Sequence, residues 1–336
     1  MVVLGGTLEE VSGLGLGCMS VSGQYDNGLP LPEDEATAFF RGVYDAGCRH
    51  FDTAEAYRSA PEHGVFNEVQ LGKFFATVPR NTFTVGTKFH PGFHKDHAYA
   101  TIKATVLEQL GRLGLEYIDL YYCHRTPSTE FAAEFAASCA KLQKEGLIKN
   151  IGLSECSAAA LRAACAVAQI CAVQQEWSLL TRNAEELLIP ACKELGVGFV
   201  AYSPLARNLL AAATKERPTD TRRKSIPRFA EEHWEKNKQM GERLEELAKE
   251  KGVTPAQLSM GWLLQKAADL GIPTLPIPGT KTLSHALDNI ASVQVKLAPE
   301  DMSLLEDIAK LSSGEREGEQ YLAAAIEGRT ATQAKL

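Results

Sequence analysis

Short apolar segments rich in β-branched and aromatic residues alternate with helix-length segments from one end of this chain to the other, and nothing else in it constrains the fold as strongly. Eight strand candidates occupy residues 13–18, 49–52, 83–88, 117–124, 148–154, 170–174, 198–202 and 272–277. Helical stretches between them include 33–46, 96–113, 130–145, 157–168, 183–195 and 255–267. Their ends are punctuated as helices should be. Glu33, Asp34 and Glu35 open the first, where the helix dipole favours carboxylates, and Ser157 and Thr254 stand at N-cap positions. Eight β-α repeats predict a parallel (β/α)8 TIM barrel, in one domain over residues 1–336. An open doubly wound sheet would place a G-x-G-x-x-G fingerprint after the first strand. Here Gly13-Leu-Gly-Leu-Gly17 runs into Cys18-Met19-Ser20 with no third glycine to open a helix, which favours the barrel. Two regions break the alternation: a long polar loop at 205–228, after the seventh strand, and an extra charged helix at 234–251. Residues 313–336 are expected to form a tail that packs over one end or stays mobile.

Composition removes several classes. With 336 residues, 45% hydrophobic and 23% charged, the chain is neither disordered nor a small disulfide scaffold. A net charge of −7 gives no support to nucleic-acid binding. None of the eight cysteines forms a C-x-x-C pair, so zinc-ribbon and thioredoxin chemistry are excluded, and no metal-ligating cluster stands out. Most cysteines lie in apolar runs and are expected to be buried free thiols, as in a reducing compartment. No secretory signal and no stretch of about 20 apolar residues is visible. The expected setting is the cytosol, the expected partner a small molecule rather than nucleic acid or membrane, and the expected form a monomer or weak homo-oligomer.

In a parallel barrel the reactive face lies at the C-terminal ends of the strands. Asp52 ends the second strand and Tyr57 follows it, Lys88 ends the third with His90 beyond, and His124 ends the fourth with Arg125 beyond. Singly, each has a bland reading: a turn cap, a snorkelling lysine, a loop aromatic, a satisfied histidine. At successive exits of one barrel, Asp52, Tyr57, Lys88 and His124 converge on one mouth. A phenol has a pKa of about 10, too high for proton traffic at neutral pH, and a neighbouring ammonium favours the phenolate. Lys88 can supply that charge, Asp52 can hold Lys88 protonated, and His124 can orient a carbonyl oxygen. Such a site protonates the alkoxide that forms when hydride reaches a carbonyl carbon, and the hydride itself demands a cofactor.

The stretches Leu16-Gly-Cys-Met19, Phe51-Asp-Thr-Ala-Glu-Ala-Tyr57, Asn67-Glu-Val-Gln-Leu-Gly72, Tyr121-Tyr-Cys-His-Arg125, Ile151-Gly-Leu-Ser-Glu155, Ala201-Tyr-Ser-Pro-Leu205 and Ile277-Pro-Gly-Thr280 together resemble the aldo-keto reductase superfamily. Arg222-Arg-Lys-Ser-Ile-Pro-Arg228 further resembles its branch of plant auxin-induced-like and perakine-reductase-like proteins. The resemblance implies a catalytic tetrad of Asp52, Tyr57, Lys88 and His124, with Tyr57 as proton donor. It implies an NADPH-dependent reductase of aldehydes or ketones that binds NADPH/NADP+ without a Rossmann domain. Ser154 and Gln174 match carboxamide-binding positions, and Tyr202 matches a ring stacked on the nicotinamide. Ser203, Leu205 and Arg207 would lie along the pyrophosphate. Gly279, Thr280, Lys281, His285, Asp288 and Asn289 match the segment around the adenosine and its 2′-phosphate. The same resemblance includes one alternative, an NADPH-binding regulatory subunit of a membrane channel.

The departures are informative. Glu155 stands where many relatives carry Asn, Trp177 replaces a Tyr, His285 replaces an Arg, and Ala206 and Asn208 replace two loop glycines. Residues 58–65 form an insertion expected to make a rim loop. Met19, Tyr25, His90, Phe93, Arg125 and Trp177 are expected to line the substrate rim. Their largely aromatic or apolar character favours hydrophobic carbonyls, with Arg125 pointing to an anionic or polar substituent. Residues 215–228 hold Lys215, Arg217, Arg222, Arg223, Lys224 and Arg228 and are read as a cationic lid over the pyrophosphate, with Arg222 and Arg228 as its cofactor contacts.

Overall fold

The computed structural model describes residues 2–6, 8–23, 29–211 and 216–317. An N-terminal hairpin, β1 (Val2–Leu4) and β2 (Leu8–Val11), precedes eight parallel strands. These are β3 (Leu16–Gly17), β4 (His50–Asp52), β5 (Thr84–Phe89), β6 (Ile118–Cys123), β7 (Ile148–Ser154), β8 (Ile170–Glu176), β9 (Gly198–Tyr202) and β10 (Thr274–Ile277), hydrogen-bonded in chain order. All eight strands read from the sequence are present, with ends trimmed or extended by a few residues. The seam closes where Gly15 N–H donates to Pro276 O (2.9 Å), Gly17 N–H donates to Pro278 O (3.2 Å), and Gly17 bridges Gly279 in parallel. A β-carbon on Gly17 would sit 2.8 Å from the Ile277 carbonyl oxygen, so the close approach requires glycine.

Both faces of the strands are dry. Leu120, Tyr122, Ala172, Val200, Leu275 and Ile277 fill the barrel with Leu4 and Leu8 of the hairpin. Tyr121, Cys123, Ile151, Val173 and Phe199 face the helical layer. That two-sided burial is why the strands read as continuous apolar runs rather than alternating patterns. The hairpin, absent from the sequence reading, closes the N-terminal end: a β-carbon on Gly198 would lie 2.6 Å from Leu4.

The helices around the barrel include α1 (Glu33–Asp45), α2 (Asn67–Phe75), α3 (Tyr99–Leu113), α4 (Thr129–Lys144), α5 (Ala158–Cys165) and α6 (Leu188–Leu195). After β9 the chain makes a four-residue helix, α7 (Thr221–Lys224), and the extra helix α8 (Glu231–Lys251), then α9 (Pro255–Leu270), α10 (Leu283–Ala291) and α11 (Pro299–Ala309). Ser157 caps α5 by accepting from Ala160 N–H, and Thr254 and Gln257 form a capping box on α9. All eight cysteines are free, and all but Cys165 are buried. Among the described residues, no helix is long and apolar enough to cross a membrane.

Candidate active site

At the C-terminal mouth of the barrel, Lys88 is fully buried. Its ammonium donates to Asp52 Oδ1 (2.5 Å) and to the Thr53 carbonyl (2.6 Å). Burial works against the ammonium, but Asp52 and Tyr57 outweigh it and hold its pKa above the ordinary lysine value. Lys88 Nζ lies 5.1 Å from the centre of the half-buried Tyr57 ring. The Tyr57 and His124 rings meet edge-on at 5.6 Å, and His90 in turn packs edge-on against His124 at 5.2 Å.

Local sequence explains this placement. The turn after β4 is pinned when Tyr57 N–H donates to Ala54 O (3.0 Å) and Asn67 N–H donates to Tyr57 O (2.9 Å). The Asn67 side chain donates to Cys18 O (3.0 Å) and accepts from the Thr53 hydroxyl (2.6 Å). Glu68, fully buried, accepts from Thr87 and Gln109 and pairs with Arg112 at 2.6 Å. Between them Asn67 and Glu68 tie α2 to the strand ends that carry Asp52 and Lys88. Residues 58–65 form a loop, bridged between Arg58 and Phe66 and closed by Ser59 N–H donating to Val65 O, and none of them lines the cavity that opens over these groups.

A cavity of about 460 Å³ opens over these groups. Asp52, Tyr57 and His124 line it, with Met19, His90 and Arg125 of the expected rim. So do Ser154, Gln174, Tyr202, Ser203, Leu205, Arg207, Gly279, Thr280, Lys281 and His285. Other expectations are corrected. Trp177 is no rim residue: it is fully buried, packs against Phe199 at 5.3 Å and donates to Glu185. Phe93 is half exposed and stacks on His90, outside the cavity lining. Tyr25 and Lys215 lie outside the described residues. Asp288 faces away from the cavity, accepting from the Thr254 hydroxyl and the Gln257 amide to tie α10 to α9. Asn289 is buried beside Leu14 and Ile290. The Gln174 amide donates to Asp52 Oδ2 (2.7 Å), so it steadies the ion pair while lining the cavity.

The basic loop also divides differently from the lid reading. Arg228 is buried beneath the wall, donating to Thr181 and 3.8 Å from Glu176. Arg223 lines the cavity in its stead, held by Asp220 at 2.6 Å, while the Arg222 side chain lies outside what is described. The Arg207 guanidinium turns into the wall, donating to Arg316 O (2.8 Å) and pairing with Glu317 (2.5 Å) and Glu176 (3.4 Å).

Arg316 was invisible in the sequence. It comes from the segment after α11 and is buried, donating to Glu155 Oε2 (3.0 Å), Glu155 Oε1 (3.2 Å) and the Tyr202 hydroxyl (3.0 Å). Burial alone would raise the Glu155 carboxyl, but Arg316 and Arg125 outweigh it and bring it down to about 2. Burial and the neighbouring Glu155 push the Tyr202 phenol up to about 12. Ala206 and Asn208 adopt φ of 48° and 83°, the left-handed backbone that favours glycine.

The chain as a whole is similar to known proteins. The family model described as "Aldo/keto reductase family" matches residues 13–310. Probable aldo-keto reductase 1 of Glycine max is 38% identical over 309 residues, spanning 90% of this chain and 86% of that protein. The holo form of an aldo-keto reductase from Bacillus halodurans superposes with a TM-score of 0.72 at 26% identity, covering 95% of this chain and 98% of its own. An aldo-keto reductase from Klebsiella pneumoniae, solved with NADPH, shares the fold at a TM-score of 0.69 and 22% identity, over 94% of this chain and 98% of its own. A barrel with this tetrad at its mouth, matched over most of its length, belongs to the aldo/keto reductase family.

Proposed function

We propose that this protein reduces an aldehyde or ketone to an alcohol with NADPH, Tyr57 giving the proton. The observation that carries the reading is the fully buried Lys88, held between Asp52 and Thr53 O with its ammonium beside the Tyr57 ring. An ammonium fixed there stabilises the phenolate that remains once the hydroxyl proton has moved to the substrate oxygen. His124, at the same mouth, is placed to orient that oxygen. Arg125, His90 and Met19 contact the remainder of the substrate.

The donor set of the cavity suits a dinucleotide. Ser154 and Ser203 offer hydroxyls near the tetrad, and Thr280, Lys281, His285 and Arg223 offer hydroxyl, ammonium, imidazole and guanidinium groups for phosphate. The chemistry that bound NADPH supplies is a hydride for the carbonyl carbon. The Klebsiella pneumoniae protein, which shares the fold, was solved with that cofactor. With no large aromatic at the rim apart from Tyr57 and Tyr202 among the described residues, the lining is more polar than the sequence suggested. The free, buried thiols support a cytosolic setting, and the working form is proposed to be a monomer or weak homo-oligomer, which sedimentation would test.

The test is a panel of neutral and charged aldehydes and ketones, assayed with NADPH and NADH, alongside fluorescence titration of each cofactor. Turnover with NADPH, and tighter binding of NADPH than NADH that weakens in Lys281→Ala, is the expected result. Absence of carbonyl reduction with both cofactors, or equal affinity for them, would overturn the corresponding part of the reading.

A further inference from the structure

We infer that Arg316 is a positioning residue of the active site, fixing the cavity wall by clamping the ends of β7 and β9 together. The inference rests on the reductase reading above for its cofactor readout, and on the following geometry for its substance.

The fork of Arg316 spans both strand ends. Two of its nitrogens reach both oxygens of Glu155, which follows β7, and one of them also reaches the Tyr202 hydroxyl at the end of β9. Tyr202 donates in turn to Glu155 Oε1 at 2.7 Å. Ser154 and Tyr202, the last residues of the two strands, line the cavity. What Arg316 holds is therefore the wall itself. A planar guanidinium can make this bidentate contact and a point-like ammonium cannot.

The backbone gives a second, independent observation. Glu155 and Ser203, the residues that follow the two strands, have φ of 50° and 47°. Non-glycine residues persist in that left-handed region only where their surroundings over-determine them, and such residues gather at functional sites. Both sites of strain lie at the clamp: one in its carboxylate partner, the other directly after its hydroxyl partner.

The segment that carries Arg316 is itself anchored. Asn237 of α8 donates to Ser313 O and accepts from Ser313 N–H, both at 2.8 Å. Arg228 N–H donates to Glu315 O at 3.2 Å, and the Arg207 guanidinium grips Arg316 O and Glu317. The position of Arg316 is thus fixed from outside the barrel and transmitted inward.

A buried ion pair that merely stabilises the fold would have the same contacts, so the test uses readouts that stability does not move. The charged and titratable groups facing Glu155 are Arg316, Arg125 from the end of β6, and Tyr202, while Glu176 at the end of β8 faces Arg316 at 3.6 Å. Without Arg316 the buried Glu155 carboxyl loses its main cation and titrates at higher pH. NADPH affinity is measured by fluorescence from pH 5 to 8 for wild type, Arg316→Lys, Arg316→Met and the Arg316→Met/Glu155→Gln double variant, with thermal unfolding of each. We expect Arg316→Met to weaken NADPH binding on the order of tenfold, the worth of one buried hydrogen bond lost from the wall. Its affinity relative to wild type should fall further on the acid side, and the Glu155→Gln change should abolish that extra pH dependence. Arg316→Lys, which keeps the charge but not the fork, should fall between. Should Arg316→Met fail to fold, Arg316→Lys decides. Wild-type affinity and pH dependence in whichever folded variant is read would overturn the positioning role, as would an acid-side loss that survives Glu155→Gln. Wild-type protein without NADPH affinity would overturn the reductase reading, and the positioning role with it.

Discussion

Replacing Tyr57 with phenylalanine removes a single oxygen at the mouth of the cavity, while the backbone bonds that pin its turn involve only main-chain atoms. The expected result is a fall in kcat of about 10²- to 10⁴-fold with little change in NADPH affinity, read by steady-state turnover and fluorescence titration. Lys88→Met is a harsher change than its place beside Tyr57 suggests. It leaves Asp52 buried with only Gln174 against it, and loss of one partner of a buried pair costs about 3–5 kcal/mol. Lost activity in that variant should come with a lower melting temperature, which Tyr57→Phe should not show. Beneath the site, burial and then Lys88 bring the His50 imidazole down to about 3. The unfolded chain takes up a proton near the ordinary histidine value of about 6.5 and the folded chain does not. The stability tied to His50 is therefore intact above that value and lost progressively as pH falls toward 3. Urea unfolding at pH 7 and 4.5 should show this slope, and His50→Gln should flatten it. Asp52, Tyr57, Lys88 and His124 were legible as one cluster because each lies at the end of an apolar strand run or in the turn that follows it. Trp177 was misread because it lies just past the end of β8, and nothing in the sequence shows that its ring turns into the core against Phe199 while its indole N–H finds Glu185. Arg316 carried no signal, since one arginine in a polar tail looks like any solvated charge.

The elements were recovered where their punctuation is chemical. Thr254-Pro255 and Ser157 announced α9 and α5, and Gly271 ends α9 in the left-handed conformation expected of it. The N-terminal hairpin was missed because β2, Leu8-Glu-Glu-Val11, is half acidic and Leu8 is buried only against the barrel end. The loop after β9 is basic and Arg223 of it lines the cavity, but which arginine faces that cavity depends on a four-residue helix that charge alone does not reveal. The two arginines should now separate. Arg223→Ala should speed NADPH release on the order of tenfold, because one hydrogen bond to a charged group is worth about 1.5 kcal/mol or more. Arg228→Ala should lower the melting temperature by several degrees instead, with release unchanged, because its side chain is buried under the wall. Stopped-flow release and thermal unfolding of both variants check the division, and equal release rates would return Arg223 to the solvated surface.

For the whole molecule, closure of the barrel depends on the seam between β3 and the residues after β10. Gly17→Ala places a methyl group 2.8 Å from the Ile277 carbonyl, a backbone contact that a rotamer change cannot relieve. A loss of about 1–3 kcal/mol is expected, the usual range for overpacking, and chemical denaturation should measure it. The clamp described above has a consequence in time as well as in space. Glu155 and Arg316 are 161 residues apart in the chain, and Tyr202 and Arg316 are 114 apart. Synthesis proceeds from the N-terminus, so the ribosome delivers every strand of the barrel before it delivers the cation that joins β7 to β9. The growing polypeptide can pair its strands one after another, but both left-handed strand ends wait for a group that is made after all of them. Completion of the cavity wall in this sense lags behind synthesis of the barrel, and a product released early, before Arg316, would carry a complete set of barrel strands and an unfinished wall.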